Sequence, residues 1–143
     1  MGEIAAIWIK RFKRGPMDAA DHAELIAGSG IVGNADRRGG KRQVTVIDEA
    51  AWRRATDPLG GLDPTMRRAN VMLRGVELAN SRGMFLRLGA CVIRVYGEVT
   101  PCRKMDEARQ GLRAALRPNW AGGVFGEIVE GGTIRVGDPA DWD

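Results

Sequence analysis

Phe85-Leu86-Arg87-Leu88-Gly89-Ala90-Cys91-Val92-Ile93-Arg94-Val95-Tyr96 is the stretch that decides the fold. Two short runs of β-favouring residues flank Gly89-Ala90, and the run from Cys91 alternates apolar with polar. That composition predicts two strands joined as a hairpin. Cys91 opens the second strand beside Val92, Ile93 and Val95, and reads as a small core hydrophobe.

Working outward, Ala69–Leu73 reads as another strand. Gln43–Ile47 alternates as a half-buried strand does, and Ile4–Ile9 is apolar enough to be a buried one. Towards the C-terminus, Gly123–Val129 and Thr133–Val136 read as strands joined around Gly131-Gly132, and Gly137-Asp138 closes the pattern. Helices are fewer. Asp48 fits an N-cap, with Glu49 in the first turn and Ala51, Trp52 and Ala55 on one side. From about Lys104, the residues Met105, Ala108, Leu112, Ala115 and Leu116 form one apolar helical face that Pro118 stops. Ala19–Ala27 reads as a short helix stopped by Gly28-Ser29-Gly30, with the single histidine, His22, on its surface. Asp36–Arg42 is charged and glycine-rich, so exposure is expected.

The count is about seven short strands with one or two helices. It predicts a mostly β fold: a closed or nearly closed antiparallel β-barrel, helices plugging its ends. The chain of 143 residues has no composition shift and no repeat, so residues 1–143 read as one domain. Its 20 glycines, against roughly 10 at average usage, imply many tight turns. Hydrophobic residues make up 44% and aromatics 6%, so aliphatics must fill the core.

A net charge of +4 and a pI of about 9.6 suit anionic small molecules and do not compel nucleic acid. No apolar segment is long enough for a membrane span or a signal peptide, so a cytoplasmic protein with no membrane association is expected. With no CxxC and no His–Cys cluster, no zinc site is expected. A Cys91–Cys102 disulfide is a minor alternative in a reducing compartment.

Thr100-Pro101-Cys102-Arg103-Lys104 carries the chemistry. Cys102 follows a strand and starts a helix, with Arg103 and Lys104 adjacent. All three features favour a thiolate and are expected to draw a thiol below its ordinary value of about 8.5. A stable thiolate attacks, accepts sulfur as a persulfide, or ligates a soft metal. The competing reading is a buried, inert cysteine. Arg67-Arg68-Ala69-Asn70 offers two guanidiniums and an amide to a phosphate or a heterocycle edge, or else forms a solvated basic face. Asn119-Trp120-Ala121-Gly122-Gly123 offers either close backbone access to a ligand or simply a turn with a packed Trp.

In order, Gly30-Ile31-Val32-Gly33-Asn34, Lys41-Arg42-Gln43-Val44-Thr45, Arg67-Arg68-Ala69-Asn70-Val71, Arg74-Gly75-Val76-Glu77-Leu78, Leu88-Gly89-Ala90, Thr100-Pro101-Cys102, Trp120–Val124 and Gly131–Asp138 form a pattern. That pattern resembles the MOSC domain, named for the C-terminal part of molybdenum-cofactor sulfurases, and covers nearly the whole chain. The resemblance implies a pyruvate-kinase-like β-barrel and a role in molybdenum-cofactor or sulfur chemistry. It implies that Cys102 receives sulfur as a persulfide or ligates molybdenum, and that Arg68 and Asn70 hold the pterin of a molybdopterin cofactor. The cofactor-binding set expected on both grounds is Arg67, Arg68, Asn70, Arg103, Lys104, Gly122 and Gly123. Asn34 stands where the family usually has Asp, and Ala35–Arg38 lacks the nearby His, leaving Asp36 as a substitute. The resemblance further implies a stand-alone module that works with a cysteine desulfurase, a molybdoenzyme or a diffusible anionic cofactor. A non-catalytic cofactor-delivery module and a basic nucleic-acid-binding barrel are the alternatives. The latter is disfavoured because one Tyr and three Phe make a poor stacking platform.

Overall fold

A computed structural model describes residues 2–35 and 39–143. The sequence reading of Asp36, Arg37 and Arg38 lies outside the described residues.

The hairpin that anchors the reading is present. β7 (Phe85–Leu88) and β8 (Cys91–Glu98) pair antiparallel, with Leu88 opposite Cys91. Beside them run β1 (Gly2–Lys10), β5 (Val44–Asp48), β6 (Val71–Arg74), β9 (Val124–Glu130) and β11 (Pro139–Trp142). Hydrogen bonding follows the order β11-β7-β8-β9-β5-β6-β1, and β1 pairs back onto β11, closing a seven-strand barrel. Closure gives each of the seven staves a neighbour on both sides. The interior is aliphatic, with Ile4, Ile7, Leu73, Leu86, Ile93 and Val95 sealed from solvent.

The barrel is mixed, not purely antiparallel. β5 and β6 run parallel, with Val46 opposite Val71. Parallel neighbours need a crossover, and α1 (Glu49–Thr56) supplies it, capped by Asp48, whose carboxylate accepts from the Ala50 N–H at 3.0 Å. The other helical expectations change more. Ala19–Ala27 is not a helix but parts of two strands, β2 (Met17–Ala20) and β3 (His22–Ile26). Ala23 and Leu25 are buried while His22, Glu24 and Ile26 are exposed, a period of two that pairing reinforces and alanine content conceals. β3 forms a small separate sheet with β4 (Gly30–Ile31) and β10 (Gly132–Arg135). β9 and β10 therefore meet at Gly131 without pairing, and β11 is the stave the sequence reading missed. The long C-terminal helix is two pieces, α2 (Arg103–Ala108) and α3 (Leu112–Ala115), broken where Gly111 takes a left-handed φ of 93°. Both pieces still turn Met105, Leu112 and Leu116 into one cluster with Trp52 and Ala121. That cluster is separate from the barrel's own core, and its Met105 also lines a cleft.

Candidate functional site

The cleft, about 920 Å³, opens where the start of β5, a 3-10 turn at Pro64–Arg67 and α2 converge. Its charged described lining is cationic: Lys10, Lys41, Arg42, Arg67, Arg68 and Lys104. No carboxylate and no imidazole is among the described lining residues. Cys102 lies in this lining and is exposed, whereas Cys91 is fully buried in the barrel. Both are free thiols. Burial pushes the Cys91 thiol up, and Asp138 and Glu130 add to that, so it is held neutral.

Cys102 is the N-cap residue of α2, in extended conformation (φ −117°, ψ 178°). Its carbonyl accepts from the Met105 N–H at 2.9 Å, and its side chain makes no capping bond. Pro101 before it is buried and fixes the entry of the chain. The sulfur is thus presented without being consumed by local structure. α2 is only six residues long, so its dipole is a small one.

Arg67 is buried. Its Nε donates to Gly122 O at 2.7 Å and its Nη2 to Val99 O at 2.8 Å. Burial draws its guanidinium below its usual range, and Arg42 acts in the same sense, while the charges of Cys102 and Glu98 oppose them. Arg67, Arg42 and Cys102 therefore share one electrostatic neighbourhood. Arg68 is exposed, in a left-handed conformation (φ 62°), and its Nη2 donates to Gly15 O, tying the 3-10 turn to the β1–β2 connection. Asn70 is buried and heavily committed. Its Oδ1 accepts from Thr45 N and Oγ1, both at 3.2 Å, and its Nδ2 donates to Trp8 O and Asn34 Oδ1, both at 3.3 Å. Asn34 Oδ1 also accepts from Lys10 N at 2.9 Å. This amide pair stitches β1, β5 and β6 together under the cleft.

The structure brings Arg67, Arg68, Asn70, Cys102 and Lys104 to one cleft. Arg103, Gly122 and Gly123 are not in its lining. Arg103 is exposed beyond it. A Cβ on Gly122 would lie 2.9 Å from Val99 O, and one on Gly123 (φ 94°) would lie 2.3 Å from Val46 O. The two glycines thus let the chain pass close against the barrel wall. The sequence reading missed Lys10, Lys41, Arg42 and Met66 as lining residues. The only signal was the Lys41-Arg42 pair before a strand, which looked like part of a solvated loop.

The fold and cleft define a small mixed barrel with one presented thiol among cations. The sequence matches the MOSC domain family model over residues 30–141, and the chain belongs to the MOSC domain family. Solved structures of the same fold include YuaD from Bacillus subtilis, at 18% identity and TM-score 0.79, with 98% of this chain and 94% of that one covered. YiiM from Geobacillus stearothermophilus matches at 16% identity and TM-score 0.75, covering all of this chain and 75% of that one. YiiM from Escherichia coli matches at 14% identity and TM-score 0.73, covering all of this chain and 70% of that one. No curated protein matches in sequence. No helix among the described residues is long and apolar enough to cross a membrane.

Proposed function

We propose that the cleft holds an anionic ligand of the molybdenum-cofactor and sulfur-transfer class, and that the Cys102 sulfur is the atom to which sulfur or molybdenum attaches. One observation carries this reading: the exposed thiol of Cys102 opens on a cleft whose charged described residues are all cations, while Cys91 is sealed away. The volume lies in the range of about 300–1,000 Å³ typical of small-molecule sites.

The residues fit an anionic pterin cofactor in part. Lys41, Arg42, Arg68 and Lys104 would meet phosphate or dithiolate charge, and Cys102 would offer one soft ligand. Arg67 Nε and Nη2 and Asn70 Nδ2 donate to the protein's own carbonyls and side-chain amide, so these two residues would chiefly shape the floor. Such a cofactor, when bound, supplies redox chemistry at the metal.

In the sulfur-carrier version, the Cys102 thiolate attacks the outer sulfur of a donor persulfide. A new S–S bond forms on Cys102, the donor's S–S bond breaks, and the donor thiolate leaves with the electron pair, so no external oxidant is needed. The donor is a cysteine desulfurase, and the compartment is a reducing one, the cytoplasm.

Metal analysis and intact-mass measurement of protein from a cofactor-competent host test the reading. Molybdenum bound one-to-one, or a cyanide-labile sulfur on Cys102, supports it. Loss of either in Cys102→Ser is expected. Neither species in the wild-type protein, under both loading routes, sinks it. Pterin binding that survives Cys102→Ser without turnover would assign a delivery module instead.

A further inference from the structure

The Lys41-Arg42 pair belongs to two places at once. Both residues line the cleft, yet Lys41 Nζ lies 5.6 Å from the centre of the Tyr96 ring and Arg42 Cζ 5.8 Å from that of Phe125. Those rings stand on the outer wall formed by β8 and β9. Arg94 lies over the same Tyr96 ring, 5.2 Å from its centre, and Arg82 Nη1 donates to Tyr96 O at 3.0 Å. Tyr96 sits where the β8–β9 register slips between Val95 and Gly97, an irregularity of the kind that re-aims a side chain. The glycine pair Gly39-Gly40, each at φ 75°, leads into this segment. Buried Gln43 clamps it, donating to Gly40 O at 2.7 Å and accepting from Ile128 N at 3.0 Å.

Lys41, Arg42, Arg82 and Arg94 are all exposed, and none makes an ion pair among the described residues. Two carboxylates stand near them: Glu127, which accepts from Tyr96 Oη at 3.4 Å, and Glu98 at the end of β8. The wall therefore carries a cationic excess on an aromatic base. Tyr, Phe and Arg in such a cluster are the residues that dominate protein interfaces. Nucleic acid would need open ring faces for its bases, and here cations lie over both rings.

We infer that this wall docks an acidic protein that carries sulfur as a persulfide, seating its donor sulfur at the cleft mouth beside Cys102. The inference rests on the sulfur-acceptor reading above. The wall and the cleft share Lys41 and Arg42, so a surface seated on one overhangs the other.

The test separates docking from chemistry. Wild-type protein, Arg94→Glu and Arg94→Lys are each loaded by purified cysteine desulfurase with L-cysteine, and separately by glutathione persulfide. The mass gain of one sulfur on Cys102 is followed against time and salt. Loading of Arg94→Glu by the desulfurase is expected to slow by on the order of tenfold and to lose most of its salt dependence, because rim charges act on the encounter rate. Arg94→Lys is expected to keep the wild-type rate, and the small donor should load all three alike. Equal desulfurase rates in wild type and Arg94→Glu overturn the docking surface. So does loading by glutathione persulfide alone. An Arg94-dependent affinity for a single-stranded oligonucleotide, with desulfurase loading unaltered, reassigns the wall and also overturns it. If neither donor loads Cys102, the sulfur-acceptor reading has failed, and the docking proposal fails with it.

Discussion

Two cysteines eleven positions apart differ because of the surfaces they face. Cys91 points into the barrel, where burial disfavours its thiolate, and Cys102 stands on the rim. A single alkylation per native chain is expected, mapping to Cys102, with Cys91 modified only in denaturant; peptide mass mapping checks this. Modification of native Cys91 would contradict the closed barrel. Gly123 makes a second residue-scale case. Its φ of 94° and the 2.3 Å approach to Val46 O that a Cβ would make leave no room for alanine. Gly123→Ala is expected to lose well over about 1 kcal/mol of stability in urea unfolding. Cys102 was legible in the sequence because its neighbours declare its setting. The roles of Gly122 and Gly123 were not, since a glycine serving a ligand and a glycine serving a neighbouring strand look alike until the strand is placed.

Among the elements, α1 is held to the barrel by charge. Arg74 on β6 donates to both oxygens of Glu49, at 3.0 and 3.1 Å, and to Glu3 on β1 at 3.1 Å. The Arg74 bonds hold the Glu49 carboxyl below its ordinary value of 4.5. The unfolded chain therefore takes up this proton first as pH falls. The stabilisation is complete above about pH 4.5 and is lost as pH drops through the folded-state value. Thermal melts near neutral pH should place Glu49→Gln below wild type, and at about pH 3 the gap should narrow. A gap that widens in acid would reverse the argument. Helix α1 was readable because a cap, an acidic first turn and a one-sided apolar set agree. The Ala19–Ala27 segment reads as a helix because its alternation over Ala23 and Leu25 is short, and the longer of the two pairings of β3 is with β10, more than a hundred residues away.

The whole molecule is a ring closed by its two ends. Staves β1 and β11 meet over only Gly2–Ala140 and Glu3–Pro139, whereas β8 and β9 pair from Val92–Glu130 to Glu98–Val124. Native-state hydrogen exchange should therefore be fastest at the β1–β11 seam and slowest in the middle of β8. Uniform protection around the ring would refute a weak seam. Six of the seven expected strands are staves of this barrel, so its existence was legible from periodicity. The closure through β11 and the parallel β5–β6 pair were not, because neither the order nor the direction of strands is written in a local pattern.

Every charged residue among the described lining of the cleft is a cation. A divalent anion such as sulfate should therefore bind more tightly as ionic strength falls, while a neutral molecule of similar size should show no such dependence. Calorimetric titration at several salt concentrations checks this. A sulfate affinity that does not move with salt would contradict it. The cleft thus sorts its visitors by the sign of their charge before any bond is made.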